Sequence, residues 1–317
     1  MRENCLKMVF ELAKQDERVV FVGSDLGVGV LADFKKAIPE RFFMEGVSEQ
    51  NLVGLAAGMA MEGRVVYLNT IATFLSRRCY EQVAVDLCLH NVNVRLIANG
   101  GGVVYAPLGP THLAIEDIAI MRALPNMTVV APADAAEMVR FMKASVDHAG
   151  PIYIRVAKGH DPIVTTDTGP FVIGAAVPMR AGEEVLLATT GVGLQICLAA
   201  AEKLAASSVR AAVLHFPTVK PLDAKALHAH CEPAAAILAV EEHSIIGGLG
   251  SAVAESLAES DLLQSRRFKR IGIPDVFPSV YGDQNGMMRT YGISADHVAA
   301  QALALLKSRP KAVRVAA

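Results

Sequence analysis

Phe42-Phe43-Met44-Glu45-Gly46-Val47-Ser48-Glu49-Gln50-Asn51, followed by the small-residue run Gly54 to Gly58, is the stretch from which the fold is read. Its first residues make a short apolar strand ending near Val47. A turn follows, and a helix begins at Ser48 or Glu49. Ser48 has the side chain of an N-cap, and the electropositive start of a helix tolerates a carboxylate in its first turn. Gly54, Ala57, Gly58 and Met61 recur at helical spacing, so one side of this helix is nearly bare and open to close approach by a neighbouring backbone. An acid fixed where a strand hands over to such a helix is held rigidly and partly out of water, the setting that raises a carboxyl pKa. Taken alone, the motif describes an ordinary first-turn acid just as well.

The surrounding chain repeats the strand-to-helix unit. After an amphipathic helix marked by Leu6, Val9, Phe10 and Ala13, the buried strand Val19–Val22 runs into the glycine-rich turn Gly23-Ser24-Asp25-Leu26-Gly27. Glycines just past the carboxyl end of a strand form the crevice where open α/β sheets bind ligands. The strand at 65–68 feeds a long helix expected from about Thr73 to Leu89. The strand at 92–98 empties into the loop from Asn99 to His112, and a helix is expected around Ala114 to Arg122. Asp134, with Glu137 three residues on, resembles a capping box. Strands at 127–130 and 152–156 complete this half. Lys158 to Pro170 lacks periodicity and is rich in Gly, Pro, Asp and Thr, which marks a linker. Apolar strands at 185–188, 211–214 and 236–240 then alternate with helices again. The expectation is two α/β domains with mainly parallel sheets covered on both faces.

At 317 residues the chain has room for two cores. Hydrophobic residues make up 52% of it, and the mean hydropathy is +0.36. No apolar run approaches the roughly 18 residues that span a bilayer, so the surplus points to subunit contacts and not to a membrane. A formal net charge of −2 without a basic cluster argues against nucleic acid. Five scattered cysteines without a CxxC pair fit free thiols in a reducing cytoplasm, and the N-terminus lacks the pattern of a signal peptide. Gly248-Leu249-Gly250 lacks the third glycine of a dinucleotide fingerprint, and Gly100-Gly101-Gly102 lacks the Gly-Lys-Ser/Thr of a P-loop. No residue pattern marks a metal site.

Three segments together resemble the transketolases: Gly46 through Gly58; Thr73-Phe74-Leu75 with Tyr80-Glu81-Gln82; and Gly109-Pro110-Thr111-His112 with Glu116-Asp117-Ile118-Ala119. Ile152-Tyr153-Ile154-Arg155 and the run from Val240 to Gly250 extend the likeness nearly end to end. It is narrowest to the C-terminal subunit of split, two-chain transketolases. The resemblance implies a pyrimidine-binding domain over 1–160, a linker over 161–178 and a transketolase C-terminal domain over 179–317. It implies thiamine diphosphate and Mg2+ as cofactors, with the diphosphate and metal held mainly by a separate N-terminal subunit in an α2β2 assembly, and transfer of a ketol unit between sugar phosphates.

By the same resemblance Glu49 is the acid that hydrogen-bonds the cofactor's pyrimidine nitrogen, and Phe74 stacks on the ring. Ile71 stands where relatives often carry a second aromatic, Val47 props the bent cofactor, and Asp25 lies near it. His112 faces the substrate's carbonyl and hydroxyl oxygens. Arg155 matches an arginine that grips the substrate phosphate, with an interdomain ion pair as its structural alternative. Leu108 replaces the acid that full-length transketolases carry before Gly-Pro-Thr-His. Asn99, Gly100 and Gly101 stand where they carry a further histidine. These departures leave the sugar open, an unusual ketose phosphate or branched sugar included. A related thiamine enzyme (1-deoxyxylulose-5-phosphate synthase-like, or 2-oxo acid dehydrogenase beta-like) and a silent binding partner are the alternatives. Gly-Pro-Thr-His argues against the first pair, and joint retention of Glu49, Phe74 and His112 against the last.

Overall fold

The computed structural model describes residues 1–307 except 25, 28, 158–160, 167–168 and 265. Twelve strands are present among the described residues: β1 (Val19–Gly23), β2 (Phe42–Met44), β3 (Val65–Ile71), β4 (Val94–Asn99), β5 (Thr128–Val130), β6 (Ile152–Val156), β7 (Val177–Arg180), β8 (Val185–Thr189), β9 (Ala211–His215), β10 (Thr218–Lys220), β11 (Ala236–Ser244) and β12 (Arg267–Ile273). They form a seven-stranded sheet of order β10-β5-β6-β4-β3-β1-β2 and a five-stranded sheet of order β12-β11-β8-β9-β7. All neighbours run parallel except the two edge pairings, β10 with β5 and β7 with β9.

The continuous apolar runs are explained by burial on both faces. In β1, Val19 and Phe21 enter one hydrophobic cluster while Val20 and Val22 enter the other; in β3, Tyr67 and Leu68 divide likewise. Helices Arg2–Gln15 and Ala135–Ser145 pack together on one side of the larger sheet, and helix Glu49–Met61 packs against β3 on the other. Each buried Val or Leu removed from water contributes about 1.5–3 kcal/mol.

Several local expectations are modified. The helix expected over 73–89 is wound in two wide π segments, Phe74–Arg78 and Val83–Leu89, joined through a short α turn. The helix expected at 114 starts later, at Asp117. Asp134 does cap its helix, accepting from the Glu137 N–H at 2.9 Å, but the Glu137 carboxylate reaches back to the Ala133 N–H and not to that of Asp134. The short strands β7 and β10 carry no periodicity long enough to declare themselves, and the seven-residue β12 is obscured by the charged run Arg266-Arg267-Phe268-Lys269-Arg270. β7 begins inside the stretch read as linker, and β10 belongs by sequence to the second half yet closes the edge of the first sheet.

The bare helix face behaves differently from the expectation as well. No atom stands within 4 Å of where a Cβ would sit on Gly54 or Gly58, and Met61 is exposed. Ala57 on the same face is buried, but among the described residues none makes the close approach that Gly54 and Gly58 permit.

Candidate active site

Register puts the chemistry at one edge. Gly23 pairs with Met44 and Asn69, Ile71 with Asn99, and Asn99 with Val156, so β1, β2, β3, β4 and β6 end side by side. The three motif segments leave from these ends. Glu49 follows β2, Phe74 follows β3, and the loop to His112 follows β4. Parallel strands with their crossovers therefore deliver three distant segments to one crevice.

Ser48 occupies the N-cap position of helix Glu49–Met61 without a side-chain cap bond; its hydroxyl donates to the Glu45 carbonyl at 3.4 Å. Glu49 is 3% exposed. Its Oε2 accepts from Arg78 Nη1 at 2.7 Å, and the Arg78 guanidinium carbon lies 4.3 Å from the centroid of the Phe74 ring. The edge-on His112 ring is 5.4 Å from that of Phe74, and Tyr105 meets His112 at 6.5 Å. Glu49, Arg78, Phe74, His112 and Tyr105 thus form one unbroken chain of contacts. Thr111 Oγ1 bonds His112 Nδ1 at 2.9 Å, which leaves Nε2 for a ligand.

Two features hold the loop between β4 and His112 in place. Gly100 has φ +76°, and a Cβ there would lie 2.1 Å from the Tyr105 ring, so only glycine lets that ring lie on the backbone. Arg77 binds the Glu116 carboxylate and donates to the Pro110 carbonyl at 3.2 Å and the Leu113 carbonyl at 2.8 Å. It ties the His112 turn to the segment carrying Phe74. Val47 is 67% exposed beside the crevice, and Ile71 is half-buried at the end of β3. Asp25 lies outside the described residues.

Arg155 has a different setting. It is 7% exposed, and its Nε donates to Asp117 Oδ2 at 2.9 Å. Its Nη2 donates to the Ala114 carbonyl at 3.1 Å and across to the Glu242 carbonyl in the second domain at 2.8 Å. The ion pair lies within the first domain, and the link to the second domain is a charged donor on a backbone carbonyl. Asp117 and Glu242 hold Arg155 charged although burial alone would lower its pKa. Glu242 Oε1 in turn accepts from the Val103 N–H and from Gln284 Nε2, each at 2.9 Å. Burial pushes the Glu242 carboxyl up to about 7 against the pull of Arg155.

A flat cationic N–H donor, the Arg78 guanidinium, lies on the Phe74 face and bonds Glu49, the two contacts that the transketolase resemblance assigns to an aminopyrimidine ring. Asn99 Oδ1 at the end of β4, and Thr73 Oγ1 and Ser76 Oγ on either side of Phe74 in sequence, are buried without a hydrogen-bond partner among the described residues. Buried polar atoms left this way mark a place that receives water or ligand. No group of three His, Cys, Asp or Glu able to hold a metal occurs among the described residues.

Sequence reading missed Arg77, Arg78, Tyr105 and Glu242. The Arg77-Arg78 pair one residue after Thr-Phe-Leu was its available signal.

The sequence profile of the transketolase pyrimidine-binding domain matches residues 1–162, and that of the transketolase C-terminal domain matches residues 174–298. The chain is 34% identical over 308 residues to an apulose-4-phosphate transketolase subunit of Phocaeicola vulgatus, covering 96% of this chain and 97% of the relative. It is 32% identical over 299 residues to the 6-deoxy-6-sulfo-D-fructose transketolase subunit SqwH of a Clostridium species, covering 94% and 92%. Among solved structures it superposes on a split-gene transketolase, an inactive beta4 tetramer, with a TM-score of 0.88 at 35% identity, covering 96% of this chain and 97% of that one.

Proposed function

The chain belongs to the transketolase family, and from that premise we propose that it is the C-terminal subunit of a two-chain, thiamine diphosphate-dependent transketolase moving a two-carbon ketol unit between sugar phosphates. The observation that carries this reading is the contact chain from buried Glu49 through Arg78 and Phe74 to His112, assembled from three separated segments at one sheet edge.

Thiamine diphosphate, when bound, supplies a carbon nucleophile and an electron sink for carbon–carbon cleavage. Glu49 holds a proton between its carboxylate and a ring nitrogen of the aminopyrimidine, in a place kept nearly free of water. Phe74 supplies the apolar face for that ring, with Ile71 and the exposed Val47 beside it. Asp25 is assigned to the same neighbourhood. His112, its Nδ1 engaged by Thr111, uses Nε2 to hold or pass a proton at the substrate's carbonyl and hydroxyl oxygens. Among the described residues Arg155 has three hydrogen bonds to protein, made by Nε and Nη2, so any grip on a substrate phosphate falls to Nη1.

We assign Mg2+ and the diphosphate to an N-terminal partner subunit in an α2β2 assembly. Support comes from the nearly full coverage of a split-gene chain and from exposed apolar side chains, with Leu108 and Tyr281 at the Gly109 turn and Phe277 near Glu116. The domain limits stay as proposed, near 160 and 179. No helix among the described residues is long and apolar enough to cross a membrane. With all five cysteines free and buried, a cytoplasmic setting suits the chain. Leu108 puts an exposed apolar side chain where a sugar hydroxyl would otherwise meet an acid. That favours a non-standard ketose donor with an anionic end, as in the names of the apulose-4-phosphate and 6-deoxy-6-sulfo-D-fructose relatives.

The test is reconstitution with the N-terminal subunit, thiamine diphosphate, Mg2+, a panel of ketose phosphates and an aldose. Ketol transfer abolished by Glu49→Gln supports the reading. Silence with every donor overturns it, and decarboxylation of pyruvate redirects it to a related thiamine enzyme.

A further inference from the structure

Arg78 is given no chemical step in the reading above, yet it is the link between Glu49 and Phe74 in the crevice. Its guanidinium lies 4.3 Å from the Phe74 ring centroid and donates to Glu49 Oε2 at 2.7 Å. Gln50 Nε2 bonds the Arg78 backbone carbonyl at 3.1 Å, which fixes the segment while leaving the long side chain its own freedom. The side chain is 45% exposed, whereas its carboxylate partner is 3% exposed. Among the described residues, Arg78 is the one hydrogen-bond donor to the Glu49 carboxylate.

A guanidinium is a planar, delocalised cation with N–H donors along its edge, and it both pairs with carboxylates and stacks on aromatic faces. A protonated aminopyrimidine is an amidinium of the same kind: flat, cationic and edged with N–H. One carboxylate oxygen and one ring therefore form a receptor for planar amidinium groups.

We propose that Glu49 and Phe74 form such a receptor, filled by the chain's own Arg78 in the free subunit, so that the cofactor's aminopyrimidine binds by exchange with the arginine. The proposal rests on the functional reading above for the identity of the incoming ring. While Arg78 is in place, the buried carboxylate keeps a charge partner and is never left bare, a state that is costly for an ion out of water. Because Arg78 is half exposed, it can swing into solvent without disturbing the core. The free chain then holds pyrimidines weakly, since each molecule bound must displace an internal competitor.

Titration calorimetry of the full-length chain with 4-amino-2,5-dimethylpyrimidine, and separately with benzamidine as a second planar amidine, tests the exchange. Arg78→Ala is expected to bind both probes about tenfold more tightly than wild type, with Arg78→Lys in between, since an ammonium pairs with Glu49 but stacks less well. Equal or weaker binding by Arg78→Ala overturns the proposal. The thermal midpoint of each variant is measured alongside. Glu49→Gln separates the two levels of argument. If it abolishes probe binding while Arg78→Ala leaves affinity unchanged, the receptor stands and the exchange falls. If no variant binds either probe, and Glu49→Gln alters nothing, both the exchange and the reading beneath it fall.

Discussion

The crevice around Glu49 and the joint around Arg155 are both built on a buried acid paired with arginine, and they are wired in opposite ways. Arg78 is half exposed and Glu49 has one described partner. Arg155 is buried and held by a carboxylate and two carbonyls from both domains, with Asp117 also accepting from the Tyr153 hydroxyl at 2.9 Å. The first arrangement can be remade when a ligand arrives, and the second cannot be changed without loss. Pairing alone therefore does not distinguish an acid free to change partners from a structural one; the number and exposure of its partners do.

Glu49→Gln challenges this contrast hardest. Steady-state rates of the reconstituted enzyme should fall by at least about a thousandfold, while urea denaturation of the free chain stays near wild type, because the change removes a proton-holding group and no packing. Asp117→Ala should do the reverse, costing about 3–5 kcal/mol in the same urea titration by leaving Arg155 buried and unpaired. A destabilised Glu49→Gln, or an unaffected Asp117→Ala, would erase the distinction.

Next in size is a pH effect at the joint. The Glu242 carboxyl is held at about 7, above its ordinary value of 4.5. Across that window the unfolded chain has given up a proton that the folded chain keeps. Stability therefore falls as pH rises from 4.5 to 7, by roughly 3 kcal/mol, and levels off above. Glu242→Gln should flatten this slope when unfolding is followed from about pH 5 to 8. The smallest effect is at the mouth: His112→Ala is expected to lower turnover by about a hundredfold without moving the midpoint of unfolding.

The sequence carried the repeated strand-and-helix order, because parallel strands buried on both faces leave long apolar runs such as Val19–Val22. It also carried Glu49, Phe74 and His112, since each sits in a compact motif at a strand end. It did not carry the joint. Glu242 acquires its meaning from Val103, 139 residues away, and no local pattern announces such a pairing. Arg78 was silent for another reason: an arginine in a helical stretch is ordinarily a solvated surface residue, and only the turn geometry after Thr73 lays it over Phe74. The three residues of β10, Thr218-Val219-Lys220, carry neither an apolar run nor a period-two signal, so the strand could not be assigned to either sheet in advance.

That strand has a further consequence. Thr218–Lys220 threads back from the second half to cap the edge of β5, so the two halves are laced together and not merely strung in tandem. A protease cut in the linker should leave them associated under native conditions. A gene fragment ending at the linker would expose the flank of β5 as a raw edge, prone to pairing with its neighbours and precipitating.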